Sequence, residues 1–151
     1  MSQILIIEDE SVIRAAVERL LTRRGYKVSS AESVEDAEAQ FDLQSFNLIL
    51  TDVRLPGAPG TDVIKRAPSV PVLIMTSYAS VRSAVDSMKQ GAIDYIAKPF
   101  DHDELVMLIE RTLKQEKLRR KAEDLKSHLD QPHPLNGRVG GFPAEPSSAR
   151  L

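Results

Sequence analysis

The chain has 151 residues with 20 basic and 22 acidic side chains, which is enough for one domain with its own core. The near-balanced charge gives no broad electrostatic basis for binding nucleic acid or a membrane surface, and the absence of cysteine excludes disulfides and thiolate metal sites. No apolar run approaches the ~18 residues of a membrane span, and the N-terminus lacks the basic start of a signal peptide, so we expect a cytoplasmic protein.

Short apolar runs alternate along the chain with segments whose apolar residues recur every three or four positions. The runs predict buried strands at residues 4–7, 26–30, 46–52, 70–75 and 93–97. The other segments predict helices at residues 11–24, 34–43, 61–67 and 80–90, and a last helix after Asp101. We expect Ser33 and Asp101 to be N-caps, and Gly25 and Gly91 to end the helices that precede them.

Strands that alternate with helices favour a parallel α/β sheet with helices on both faces. Periodicity and composition leave the strand order open. We adopt the doubly wound order 2-1-3-4-5, which places strands one and three side by side, because of the side chains at the strand ends.

Charged and hydroxyl side chains follow successive strands of this sheet. Glu8 and Asp9 follow the first strand, and Asp52 ends the third. Thr76 follows the fourth strand, and Lys98 follows the fifth. These residues should meet at one edge, where a divalent cation would relieve repulsion among the carboxylates, and oxygen ligands of this type suit Mg²⁺. The lysine and the threonine hydroxyl could then contact a phosphoryl group.

Each of these residues also has a simpler interpretation. Asp52 could cap a turn or a helix, the acids after the first strand could be a solvated loop, Thr76 could cap a turn, and Lys98 could be an ordinary surface lysine. The joint arrangement at successive strand ends favours a site over these separate explanations.

Several motifs resemble the receiver domain of two-component response regulators, over about residues 3–115. The motifs are Ile6–Glu10, Leu50–Gly57, Met75–Ser77 and Asp94–Phe100. Residues 75–79, 91–95 and 98–101 are most similar to receivers of nitrogen-regulation-type transcriptional activators, which continue into an ATPase domain and a DNA-binding domain. The resemblance implies a flavodoxin-like fold and a phosphorylation-dependent switch that controls dimerisation and a transcription-activating output.

The resemblance also implies the roles of residues around the phosphoryl group. Asp52 is the phosphoacceptor for a histidine kinase, and Lys98 and Thr76 assist the transfer. Thr76 and Tyr95 are the switch residues, and the Lys98–Pro99 peptide bond is expected to be cis. The protein would not be an enzyme acting on other substrates, since it would catalyse only its own phosphorylation and slow dephosphorylation.

For the metal, the resemblance implies Mg²⁺ bound directly by Asp9, Asp52 and the backbone carbonyl of Arg54, with Glu8 acting through a bound water. This chain has Glu8 where many relatives have aspartate, which a water-mediated role tolerates. The segment 61–71 is shorter than usual. Arg54 and Tyr78 occupy positions that tune hydrolysis in the family, and their bulk predicts slow dephosphorylation.

The last helix continues beyond the receiver-like part with apolar residues spaced by four, three and four, namely Leu118, Ala122, Leu125 and Leu129. This spacing indicates a coiled-coil seam, with a frayed charged linker helix as the alternative. We therefore expect a receiver domain at 1–115, a helical linker at 116–130, and a Pro- and Gly-rich disordered tail or non-native end at 131–151. A homodimer would form through this helix and through the face of helix four, strand five and helix five.

Other functions remain open at this point. A phosphatase of the haloacid dehalogenase type needs a second acid two residues after the nucleophile, where this chain has Arg54. A flavodoxin needs a hydroxyl-rich loop where residues 8–10 are acids. A stand-alone receiver that acts by protein contact and a constitutive dimerisation module are the remaining alternatives. Without a Walker or helix-turn-helix motif, we expect no nucleic acid to bind this fragment.

Overall fold

The computed structural model describes residues 2–77 and 81–129, apart from the side chains of Val81, Asp124 and residues 126–129. The strands in this part of the chain are β1 (Gln3–Ile7), β2 (Lys27–Ala31), β3 (Leu48–Asp52), β4 (Val72–Thr76) and β5 (Asp94–Ala97). The helices are α1 (Ser11–Arg23), α2 (Val34–Gln40), α3 (Asp62–Arg66), α4 (Val81–Lys89), α5 (His102–Leu129) and a 3-10 helix at Leu43–Ser45.

The strands form one sheet of order β2-β1-β3-β4-β5, and all neighbours are parallel, which confirms the predicted fold. Every residue of β3 and β4 is buried, as expected for strands covered on both faces. On one face, Leu5 and Ile7 pack with residues of α2 and α3. On the other, Ile4 and Ile6 pack with residues of α1 and α5. Each such buried side chain contributes roughly 1.5–3 kcal/mol.

The strand register brings the predicted site residues to one edge of the sheet. Ile7 pairs with Thr51, so Glu8 and Asp52 follow side by side on neighbouring strands. Thr76 pairs with Ala97, so Lys98 lies one residue beyond that pair. The convergence therefore follows from the backbone pairing of the strands.

The predicted helix at 34–43 is wrong in its last turn, because α2 ends at Gln40. Phe41 is extended, with φ −134° and ψ 156°. Its ring packs edge-on against Phe46 at a centroid distance of 5.7 Å. The Asp42 side chain then accepts a hydrogen bond from Gln44 N at 3.1 Å and caps the 3-10 helix that buries Leu43. An N-capping aspartate thus competes with continuation of the helix.

The short third helix and the predicted caps are present. Helix α3 has 5 residues and ends before Ala67, whose extended φ suits a residue that precedes proline. The Ser33 hydroxyl accepts from Asp36 N at 3.0 Å. The Asp101 carboxylate accepts from Asp103 N at 2.9 Å. Gly91 has φ +111°, which an L side chain rarely adopts.

Backbone contacts group the chain into two units, Met1–Glu116 and Lys117–Leu151. In the second unit the helical backbone extends to Leu129, and the predicted tail at 131–151 lies outside the described residues. The division at 1–115, 116–130 and 131–151 stays a prediction. Among the described residues, the structure contains no helix with the length and apolar character needed to cross a membrane.

Candidate functional site

Three carboxylates converge at the carboxyl edge of the sheet. Glu8 and Asp9 follow β1, and Asp52 is the last residue of β3. One oxygen from each residue lies within 4.8 Å of the others. Glu8 is 0% exposed and its backbone N–H donates to the Ala31 carbonyl at 3.0 Å, which continues the β1–β2 ladder. The sheet thus fixes these acids in a small volume, where their mutual repulsion demands positive charge.

Lys98 supplies positive charge to two of the acids. Its Nζ donates to Asp52 Oδ2 at 2.7 Å and also to Glu8 Oε1, and its side chain is 7% exposed. Its backbone N–H donates to the Thr76 carbonyl at 2.8 Å, and the Lys98–Pro99 bond is cis, as the resemblance implied. The structure therefore brings the lysine into the acid cluster and removes its interpretation as an ordinary surface side chain.

The titration of this cluster reflects its burial and its internal hydrogen bonds. Burial raises the pKa of Glu8 above its usual range, against the opposing hydrogen bond from Lys98. Burial alone would lower the pKa of Lys98, but its hydrogen bonds to Asp52 and Glu8 outweigh burial and raise that pKa. The lysine is therefore a firmly protonated cation at neutral pH.

The two carboxylate oxygens of Asp52 have different partners. Oδ2 accepts from Lys98, and Oδ1 accepts from the backbone N–H of Arg54 at 3.2 Å. After this turn the chain returns at Gly60, whose N–H donates to the Val53 carbonyl at 2.9 Å. A Cβ on Gly60 would lie 1.8 Å from the Asp52 carbonyl oxygen, so only glycine fits there. The close return of the loop fixes the backbone around the phosphoacceptor candidate.

Arg14 on α1 is a site residue that the sequence pattern did not reveal. Its Nη1 donates to the Glu8 carbonyl at 2.7 Å, with the Asp9 carbonyl at 3.5 Å. The guanidinium therefore holds the loop that carries both acids. The available signal was an arginine one helical turn beyond an acidic strand end, a pattern that also occurs on ordinary solvated helices.

The two predicted switch residues lie at the ends of neighbouring strands. Thr76 is buried at the end of β4. Tyr95 on β5 packs against the apolar cluster that includes residues of α2 and α3, and its hydroxyl is buried with no hydrogen-bond partner among the described residues. Their switch roles stay predictions. Tyr78, the second residue expected to tune hydrolysis, lies outside the described residues.

The donor set fits a hard divalent cation. One carboxylate oxygen from each of Glu8, Asp9 and Asp52 lies within reach of a common ion, and carboxylate oxygens are ligands that Mg²⁺ prefers. Each Glu8 oxygen already accepts a hydrogen bond, one from Lys98 and one from Glu10 N at 3.2 Å. Asp52 is bonded in the same way, so the direct roles of Asp9, Asp52 and the Arg54 carbonyl and the water-mediated role of Glu8 stay predictions.

Comparison with known proteins gives consistent matches. The family model of the response regulator receiver domain matches residues 4–110. The nitrogen assimilation regulatory protein NtrX of Azorhizobium caulinodans is 39% identical over 141 residues, which cover 89% of this chain and 31% of that protein. The chain thus spans about a third of the length of this curated relative.

Solved structures agree with these sequence matches. A CheY-like receiver domain protein from Methanospirillum hungatei has a TM-score of 0.72 and 30% identity, covering 79% of this chain and 98% of that one. The beryllofluoride-activated NtrC4 receiver domain dimer has a TM-score of 0.70 and 26% identity, covering 77% of this chain and 99% of that one.

Proposed function

This chain belongs to the response regulator receiver domain family, and from that premise we propose that it is a phosphorylation-dependent switch whose Asp52 accepts a phosphoryl group from a histidine kinase. The observation that carries the assignment is the position of Asp52. Its carboxylate ends the buried strand β3, lies in the acid cluster, and accepts from Lys98 Nζ at 2.7 Å. Charged groups that are buried and paired in this way cluster at functional sites.

In the proposed transfer, one Asp52 oxygen attacks the phosphorus of a phosphohistidine on the kinase. The O–P bond forms while the P–N bond breaks, and the imidazole leaves with the electron pair. Lys98 compensates the charge on the phosphoryl oxygens, and the Arg54 N–H holds the carboxylate in place during the attack. Mg²⁺, held by Asp9, Asp52 and the Arg54 carbonyl with Glu8 through water, would neutralise charge and orient the phosphoryl oxygens.

The proposed switch begins with the charge of the new phosphoryl group, about −1.5 to −2 by analogy with other phosphorylated side chains. The Thr76 hydroxyl would donate to a phosphoryl oxygen, and Tyr95 would move into the space that Thr76 leaves. The buried Tyr95 hydroxyl without a partner among the described residues supports such a movement. A buried unsatisfied hydroxyl costs about 1–3 kcal/mol, so a position that gives it a partner is favoured.

The kinase segment that carries the histidine would dock beside Lys98. A groove of about 600 Å³ runs between α1 and the loop after β5, and its lining includes Val12, Ala16, Lys98 and Phe100. Val12 is 80% exposed and gives this groove an accessible apolar side chain. An apolar groove whose lining includes the lysine of the site would hold a helix of the kinase with its histidine facing Asp52.

The signal would reach an output through dimerisation. Apolar side chains are exposed on α4, directly before β5 and on α5, namely Val85, Met88, Ile93 and Met107. In the second unit, Leu118 and Leu125 are each 58% exposed on the predicted coiled-coil seam. The NtrC4 receiver relative is described as a beryllofluoride-activated dimer, which supports association of two copies, and the exposed apolar side chains are the surfaces that we propose for the contact.

The switch would serve transcription regulation, as the names of its relatives indicate, and would work in the cytoplasm. It would act on no substrate other than its own phosphoryl group. A stand-alone receiver acting by protein contact is the second candidate, and a constitutive dimerisation module is the third. Light scattering with and without beryllofluoride separates a switch from a constitutive dimer. Only a dimerisation switch would change between the mass of a monomer and that of a dimer when the phosphoryl mimic is added.

The direct test of the assignment is phosphorylation by a small-molecule donor. Wild-type protein, Asp52→Asn and the control Asp62→Asn are incubated with acetyl phosphate and Mg²⁺, and the bound phosphoryl group is measured by intact-protein mass spectrometry. We expect labelling of the wild type and of Asp62→Asn, whose aspartate lies on α3 outside the acid cluster. Labelling of Asp52→Asn at the wild-type rate would remove Asp52 as the phosphoacceptor.

A further inference from the structure

Glu35, in the first turn of α2, contacts the loop that follows Asp52. Its Oε2 accepts a hydrogen bond from the Ala58 backbone N–H at 3.0 Å. The carboxylate also lies over the backbone of Gly57, where a Cβ would be 2.6 Å from Oε2. Gly57 has φ +82°, so both its conformation and its lack of a side chain permit this approach. An exposed acid thus bonds to the backbone of a loop 23 positions away in sequence.

The same loop is held at its far end by Gly60, which bonds to Val53 and leaves no room for a side chain against Asp52. Arg54 lies between Val53, which accepts from Gly60, and Ala58, which donates to Glu35. Its N–H donates to Asp52 Oδ1, and its carbonyl is the proposed backbone ligand for Mg²⁺. The orientation of the Arg54 peptide therefore depends on how the loop is held at both ends.

Glu35 is ionised where this contact is made. The Ala58 amide and the Glu35 amide itself hold the pKa of the carboxyl below its ordinary value, and Arg66 adds a smaller attraction. Arg66 also pairs with Glu38 and Asp62, so its charge is shared among several acids. The backbone bond to the loop is accordingly the main interaction of the Glu35 carboxylate.

We propose that Glu35 is a positioning residue for the phosphoryl-accepting site, which holds the loop between β3 and α3 so that the Arg54 backbone faces Asp52 and the cation. The proposal rests on the function proposed above. Glu35 touches neither the phosphoryl group nor the metal; it acts through the Ala58 amide and the loop backbone. Removing a group that hydrogen-bonds directly to a metal ligand commonly changes metal affinity by about 10- to 100-fold, and a contact made at Ala58, further along the loop from Arg54, should lie at the low end of that range.

The test compares Glu35→Ala with Glu35→Gln and with Glu32→Ala. The glutamine keeps an oxygen that can accept from Ala58, and Glu32→Ala removes the same charge from an exposed acid three positions earlier. The Mg²⁺ dissociation constant is measured by calorimetry, and the amide signals of Arg54 and Ala58 are followed by NMR. We expect Glu35→Ala to weaken Mg²⁺ binding about 10-fold and to shift both amides. Glu35→Gln should keep most of the affinity, and Glu32→Ala should match the wild type.

The possible failures are distinguishable. If the wild type binds Mg²⁺ and Glu35→Ala binds it equally well, the positioning role is wrong while the proposed function stands. If Glu35→Gln and Glu32→Ala lose affinity as much as Glu35→Ala, the effect is one of net charge and the positioning role is again wrong. If the wild type itself neither binds Mg²⁺ nor takes up a phosphoryl group, the proposed function fails and the inference fails with it.

Discussion

The positive charge of Lys98 stabilises the buried carboxylates of Glu8 and Asp52 at the end of an apolar sheet. The burial of all three side chains makes their charges costly to separate, and the lysine bonds to both acids. The two acids differ in their other hydrogen-bond partner. Asp52 has one oxygen bonded to Arg54 N, and Glu8 has one bonded to Glu10 N. The lysine is the contact common to both acids.

Removal of that charge should destabilise the domain. We expect Lys98→Ala to lower the free energy of unfolding by about 3 kcal/mol, because Glu8 and Asp52 are left close together without their shared cation. Urea unfolding followed by circular dichroism measures the change. Lys121→Ala, at an exposed position of the second unit, is the control and should leave stability unchanged. A Lys98 variant as stable as the wild type would mean that the acids are neutral in the folded protein.

Gly60 offers a second test at the residue scale, with Gly25 as its counterpart. A Cβ at Gly60 meets the Asp52 carbonyl at 1.8 Å, whereas one at Gly25 meets nothing within 4 Å and suffers only from its positive φ. We expect Gly60→Ala to cost about 3 kcal/mol or more and Gly25→Ala about 1 kcal/mol, measured by thermal unfolding. Equal costs would show that the loop relaxes easily and does not fix Asp52.

The residues that the sequence pattern predicted and those it missed differ in how they act. Glu8, Asp9, Asp52 and Lys98 meet through side-chain charges at strand ends, and residue type and position along the chain are enough to predict that. Arg14, Glu35 and Gly60 act on backbone carbonyls and amides of loops. The positions of those groups follow from the tertiary path of each loop, which no residue pattern encodes.

At the scale of elements, the strands were more predictable than the helix ends. A buried parallel strand needs only a continuous apolar run, and β3 and β4 supply one. Helix α2 shows the contrary case, because Phe41 continues the apolar spacing of Val34 and Ala37 but has an extended backbone. The residues after it form a 3-10 helix that buries Leu43. Whether the chain continues as an α-helix or forms the 3-10 helix depends on the Asp42 cap and on the contact between Phe41 and Phe46, which forms only in the folded chain.

Val12, exposed on α1, allows a direct test of the proposed docking groove for the kinase. We expect Val12→Asp to slow phosphoryl transfer from the cognate kinase at least about 10-fold, while uptake from acetyl phosphate stays at the wild-type rate. Stability should change by less than about 0.5 kcal/mol, because the side chain is exposed. Ala15→Asp adds the same charge to an exposed position of the same helix and serves as the control. If transfer from the kinase and from acetyl phosphate slowed equally, the substitution would act on the phosphoryl-accepting site and not on kinase docking.

At the scale of the whole molecule, association of two copies is the proposed output. We expect Leu118→Lys with Leu125→Lys to abolish dimers in analytical ultracentrifugation, because like charges would replace apolar contacts along the seam. Lys117→Ala, exposed on the same helix, should dimerise as the wild type does. A double variant that still forms dimers would assign association to the face of α4, β5 and α5 instead.

The bond network of Lys98 also joins strands that are not neighbours. Lys98 follows the edge strand β5, while Glu8 follows β1 and Asp52 ends the central strand β3, so the ionic contacts pass over β4. Ion pairs therefore hold the end of the short edge strand β5 near β1 and β3, in addition to its backbone hydrogen bonds to β4. A phosphoryl group on Asp52 would compete for the Lys98 ammonium group and weaken these ion pairs. Hydrogen-exchange rates of the β5 amides would then report the state of an aspartate two strands away.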